Sequence, residues 1–123
     1  MKKRPTTTEM VSNNTDHLIR PTASFSADIP LQWNELYLEV ERFTRGYVAP
    51  VSARAHAYIN LAAYESALPG MVDTYRSFNG YYQDLELPDA SLIGSIHYPT
   101  AVNAAYENAM RLFFSYCSCC TTF

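Results

Sequence analysis

The chain has 123 residues, of which 48% are hydrophobic and 17% charged, with a formal net charge of −3. That length fits one domain able to bury about two-thirds of its unfolded surface, and the low charged share hints that some surface meets another domain or chain. Residues 1–30 balance at +1 and the remainder at −4; an acidic body excludes the counterion-displacing kind of nucleic-acid binding.

No apolar run approaches the ~20 residues that span a bilayer. Met1-Lys2-Lys3-Arg4 resembles the basic start of an export signal, but Pro5 to Asn14 supplies no apolar core for one. The compartment is therefore left unassigned. Asn13-Asn14-Thr15 fits the glycosylation sequon, which carries meaning only in a secreted chain.

In chain order, residues 1–28 are rich in Thr, Ser and Asn without a helical or strand period, and read as a flexible arm. A first helix is expected over 29–45, with Pro30 tolerated in its first turn. Trp33, Leu36, Tyr37, Val40 and Thr44 form its apolar stripe, Glu41 and Arg45 a favourable i,i+4 pair, and Gly46 its stop. A second helix is expected over 52–68, with Ser52 as its cap and Pro69-Gly70 as its end. Val51 to Gly70 holds six alanines, the best helix former. At 100° per residue, Arg54, Ala57, Tyr58, Leu61, Glu65 and Leu68 share one face, and Ala55, Ile59, Ala62 and Ser66 a second, mostly small one. His56, Asn60 and Ala63 are left as the wet strip.

A short helix is expected over 71–78, ended by Asn79-Gly80, and an irregular loop from Tyr81 to Tyr98. The last helix is expected over 99–114, opened by Pro99, with Val102, Ala105, Tyr106, Ala109 and Phe113 buried and Glu107 paired with Arg111. Residues 115–123 make an irregular Cys-rich tail. The reading is all-α: three substantial helices and one short one in a partial bundle.

Chemistry does not emerge from these residues. His17, His56 and His97 are too far apart in sequence for a helical or loop metal pair. His56 has no acid at i±3 or i±4 and reads as solvated. Arg54 and Glu65 fall on an otherwise apolar face, about 16 Å apart along the helix, so each needs its own partner. A structural tie to a neighbouring helix or backbone is preferred to a ligand role, and so it is for Asn103. Cys117, Cys119 and Cys120 lack Cys-x-x-Cys spacing and a second ligand cluster, and nothing assigns them a role. The tyrosines and Trp33 read as core rather than as a stacking platform. No catalytic, cofactor-binding or metal-binding residue is assigned.

The segment Arg42-Phe43-Thr44-Arg45-Gly46-Tyr47-Val48-Ala49-Pro50-Val51-Ser52-Ala53-Arg54-Ala55-His56-Ala57-Tyr58, continuing to Tyr64-Glu65-Ser66-Ala67, resembles the N-terminal helical region of bacterial vanadium-dependent haloperoxidase-like proteins. These belong to the type 2 phosphatidic acid phosphatase superfamily. Tyr98-Pro99-Thr100-Ala101-Val102-Asn103-Ala104-Ala105-Tyr106 looks like the segment that follows, with Phe113-Phe114 at its end. The resemblance spans about Leu31 to Phe114. It implies a helical scaffold preceding a catalytic bundle. That bundle holds vanadate or phosphate with a lysine, an Arg-Pro pair, a Pro-Ser-Gly-His segment and an arginine with a downstream histidine.

This sequence has no Pro-Ser-Gly-His, and its Arg20-Pro21 lies in the arm without the companion lysine. No catalytic residue carries over, and vanadate is expected only in a full-length relative. The expectation is a scaffold fragment, cut before the catalytic bundle and inactive alone. Such a piece would keep exposed apolar helix faces for a missing C-terminal domain or for self-association. The alternative is a stand-alone helical dimerisation module that buries the Ala55/Ile59/Ala62/Ser66 face.

Overall fold

Alanine density and proline punctuation set the helices. The computed structural model describes residues 21–71, 75–82, 84–88 and 95–115. Three α-helices follow one another: α1 at Asp28–Phe43, α2 at Ala49–Ala67 and α3 at Tyr98–Phe114. Two single 3-10 turns, Thr22–Ser24 and Leu68–Gly70, flank α1 and α2. There is no strand among the described residues, so the all-α reading holds.

Two of the three helices start on proline geometry. Pro50 and Pro99 sit in the first turn of α2 and α3, where a missing N–H costs nothing. No side chain caps either start. Ser52, expected as the cap of α2, is instead inside the helix and 8% exposed, because Pro50 moves the start back to Ala49. At the other end, α1 stops at Phe43, and the chain reverses through Gly46 with φ of 89°. Arg45 therefore lies beyond the helix. The Glu41–Arg45 pair does not form, and Glu107–Arg111 at 2.9 Å is the one ion pair among the described residues.

The core is built from two matched rows. On α2, Ala55, Ile59, Ala63 and Ala67 recur every fourth residue; on α3, Val102, Tyr106, Met110 and Phe114 do the same. The small row admits the large one, so α2 and α3 make the most extensive helix contact among the described residues, with α1 packing more lightly on both. Two i±4 rows facing each other are the commonest way that helices interlock. Tyr37 is the buried centre of α1, 1% exposed, against partly buried Trp33 and Val40.

This corrects several sequence expectations. Ala63, assigned to a wet strip, is 5% exposed, whereas Arg54, Ala57 and Tyr58 are exposed. Leu36 is also more exposed than its place in the stripe implied, at 41%. The expected short helix over 71–78 is not present at Met71 or across Tyr75–Phe78; residues 72–74 lie outside the described residues. A 3-10 turn one step earlier, held by the Met71 N–H donating to the Leu68 carbonyl, takes the chain off α2 instead.

Of the stretch expected as an arm, residues 1–20 lie outside the described residues. Pro21 to Ala27 is seated on the bundle: the Thr22 hydroxyl donates to the Ala67 carbonyl at 2.8 Å, and the Phe25 ring meets His97 edge-on at 5.6 Å. His17 and the Cys-rich tail beyond Ser115 also lie outside the described residues. No described helix is long and apolar enough to cross a membrane.

Candidate functional site

The polar groups that converge most closely lie where all three helices meet. Asn34 comes from α1, His56 and Asn60 from α2, and Tyr106 from α3. His56 Nε2 lies 2.7 Å from Asn34 Oδ1, and Asn60 Nδ2 donates to the same oxygen at 3.2 Å. That oxygen can only accept, so His56 carries its proton on Nε2. The Tyr106 hydroxyl donates to Asn60 Oδ1 at 2.8 Å, and Asn60 Nδ2 also donates to the His56 carbonyl at 2.9 Å. His56 and Asn60 were expected to be wet. They are half-buried and bonded to one another through Asn34.

Aromatic rings frame this cluster. Tyr37 stacks on His56 at 4.6 Å, and Trp33 lies parallel to Tyr106 at 5.9 Å. Trp33 Nε1–H donates to Asn103 Oδ1 at 2.8 Å, which gives Asn103 the structural tie expected of it. Tyr37 donates to the Ser52 carbonyl at 2.7 Å and lies 3.0 Å from the Ser52 hydroxyl. Among the described residues no buried side-chain nitrogen or oxygen lacks a partner.

Burial pushes the Tyr106 hydroxyl above its ordinary value, with the Asn34 side chain pulling the other way. Tyr47 is raised too, first by burial and then by the neighbouring Tyr37. Both phenols are held neutral. The arrangement thus has one imidazole, two amides and phenols in their protonated form. Among the described residues no carboxylate, thiol or hydroxyl hydrogen-bonds the imidazole, so these residues assemble no relay of nucleophile, base and orienting acid. No three His, Cys, Asp or Glu side chains come together as metal ligands among the described residues.

The charged candidates lie elsewhere. Glu65 accepts the Ser77 hydroxyl at 2.8 Å and the Phe78 amide at 2.7 Å, pinning the loop after α2. That is the backbone tie expected for it. Arg54 is exposed and makes no ion pair among the described residues. Arg42, Arg45, Arg76 and Arg111 are exposed as well, and none of the described arginines lines either of the two main clefts. His97 heads α3, with Nδ1 2.7 Å from the Thr100 hydroxyl. Asn34, absent from the sequence expectations, is the hub of the polar cluster; its only sequence signal is an amide one residue from the apolar stripe of α1.

Compared with known protein families, with curated proteins and with solved structures, the chain matches none.

Proposed function

We propose that the three helices form a scaffold that positions a partner rather than a centre that performs chemistry. We take the scaffold to be of the kind that precedes the catalytic bundle in vanadium-dependent haloperoxidase-like and type 2 phosphatidic acid phosphatase-like proteins. The observation that carries this is how the interior polar groups are used. Asn34, His56, Asn60 and Tyr106 bond to one another across three helices, so their polar atoms are committed to joining helices. Stabilising a trigonal-bipyramidal oxyanion demands several converging cations, and the described arginines are exposed and line neither cleft.

Leu31, Leu38, Phe43 and Leu112 are each more than half exposed, and they supply apolar surface for a helical bundle to cover. The test is vanadium NMR on the purified chain with added vanadate, together with bromide-oxidation and phosphate-ester turnover. The expected result is free vanadate and no turnover. Stoichiometric vanadate binding with turnover would overturn the reading.

A second reading, self-association, is favoured by one observation. Ala62 and Ser66 border an open groove with Leu61 and Leu68. The other half of the proposed small face, Ala55 and Ile59, is already in the core. Ala62→Arg should then abolish dimers in analytical ultracentrifugation while keeping the helical spectrum. If the wild type is monomeric at all concentrations, this second reading fails.

A further inference from the structure

A cleft of about 380 Å³ lies among the Thr22–Ser24 turn, the start of α1, the C-terminal half of α2 and the start of α3. Its walls include Phe25, Ile29, Ala63, Ala67, Tyr98 and Tyr106. Residue size creates the space: two nearly buried alanines form the floor, and aromatic rings stand around them. None of the described lining residues is charged, although the chain carries 9 basic and 12 acidic residues.

The wall's polar atoms are few, and most are used. Tyr106 donates to Asn60 and Thr22 to the Ala67 carbonyl. The Tyr98 hydroxyl makes no hydrogen bond to another described residue and is open to solvent. Water in the cleft finds few polar partners on its walls, so an apolar ligand that displaces it loses little. A carboxylate, phosphate or ammonium would enter with no compensating charge. A flat apolar ring can stack on or meet the aromatic walls edge-on. The volume lies at the small end of ligand clefts, which run from about 300 to 1,000 Å³.

We propose that this cleft binds a small neutral aromatic molecule, of one or two fused rings, whose single polar group pairs with the Tyr98 hydroxyl. The site is separate from the scaffold role, and neither depends on the other. The full chain is titrated with 1-naphthol and followed by calorimetry and by NMR of the Ala63, Ala67 and Val102 methyl groups. The expected result is saturable one-to-one binding with shifts confined to methyls that line the cleft. Naphthalene-1-sulfonate should bind at least about tenfold more weakly, since its charge has no partner there.

Ala67→Leu, which fills the floor, should weaken naphthol binding at least about tenfold. The floor is core, so Ala27→Phe at the exposed rim is the companion variant; it leaves the packing of α2 on α3 untouched and should weaken binding as well. The proposal is overturned if naphthol does not saturate up to its solubility. It is equally overturned if the sulfonate binds as tightly, or if Ala27→Phe, with helical spectrum and melting intact, binds naphthol like the wild type.

Discussion

Tyr37 on α1 donates its hydroxyl hydrogen to the carbonyl of Ser52 on α2, across 2.7 Å, at a point where both residues are shut off from solvent. The same phenol lies 3.0 Å from the Ser52 hydroxyl, and its ring stacks on His56 one turn further along. One side chain thus fixes how α1 lies against the first turns of α2. Tyr37→Phe keeps the ring and removes the donor, leaving the Ser52 hydroxyl to find another partner. The expected cost is about 1–2 kcal/mol in urea unfolding, whereas Tyr37→Ala should cost about 3–5 kcal/mol through the cavity it leaves. Equal midpoints for Tyr37→Phe and wild type would mean that the bond adds nothing net.

Glu65 has a local task, holding the backbone of Phe78 and the side chain of Ser77. Around that anchor Phe78 meets Tyr64 at 5.9 Å, Tyr81 at 6.0 Å and Tyr82 at 6.2 Å. Glu65→Ala should therefore free the Phe78 amide for hydrogen exchange while α2 and α3 keep their protection. A Phe78 amide that exchanges equally slowly in wild type and variant would show that the ring contacts hold the loop without the carboxylate.

The helices were legible because proline, glycine and alanine speak about backbone. The expected bounds of 29–45, 52–68 and 99–114 fall within a few residues of those observed. Orientation was less legible, and most of all for α2. Alanine gives no apolar contrast around a helix, so a wheel cannot tell Ala63, at 5% exposure, from the exposed Ala57. A wheel also sends every polar residue to water. His56 and Asn60 break that rule because Asn34 and Tyr106, on other helices, reach them. Such partners are set by tertiary packing and leave no periodicity within α2 itself. Glu65 was readable for the converse reason, since a half-buried charge needs a partner and a loop amide supplies it, whereas Arg54, placed on the same face, is exposed and needs none.

The two raised phenols make a pH prediction. Tyr106 and Tyr47 resist ionisation in the folded state relative to their ordinary value of 10.0. The folded chain therefore holds these protons more tightly than the unfolded chain. Their contribution is complete below pH 10 and is lost as pH climbs through 10 toward the raised folded values. Stability from urea melts should fall over that alkaline window. The Tyr47→Phe/Tyr106→Phe double variant, less stable at neutral pH, should show a flatter slope there. Parallel slopes would mean that the two hydroxyls ionise alike in both states.

Gly70 is where three segments press together. A Cβ at this position would collide with the Tyr98 ring and with the Thr22 hydroxyl oxygen, and that hydroxyl is already committed to the Ala67 carbonyl. The residue is not in the left-handed region, so space rather than backbone freedom requires glycine. Gly46 is the opposite case, with φ of 89° and nothing within 4 Å of an added Cβ. Gly46→Ala should cost about 1 kcal/mol through backbone strain alone. Gly70→Ala should cost about 1–3 kcal/mol by overpacking, lowering the melting temperature by about 4–8 °C for each kcal/mol. The two mechanisms separate in a Tyr98→Ala background. Removing the ring should relieve much of the Gly70→Ala penalty and leave that of Gly46→Ala unchanged, because only the first pair is in contact. If Gly70→Ala costs the same with and without the Tyr98 ring, the close approach of that ring to the turn after α2 is not what selects glycine there.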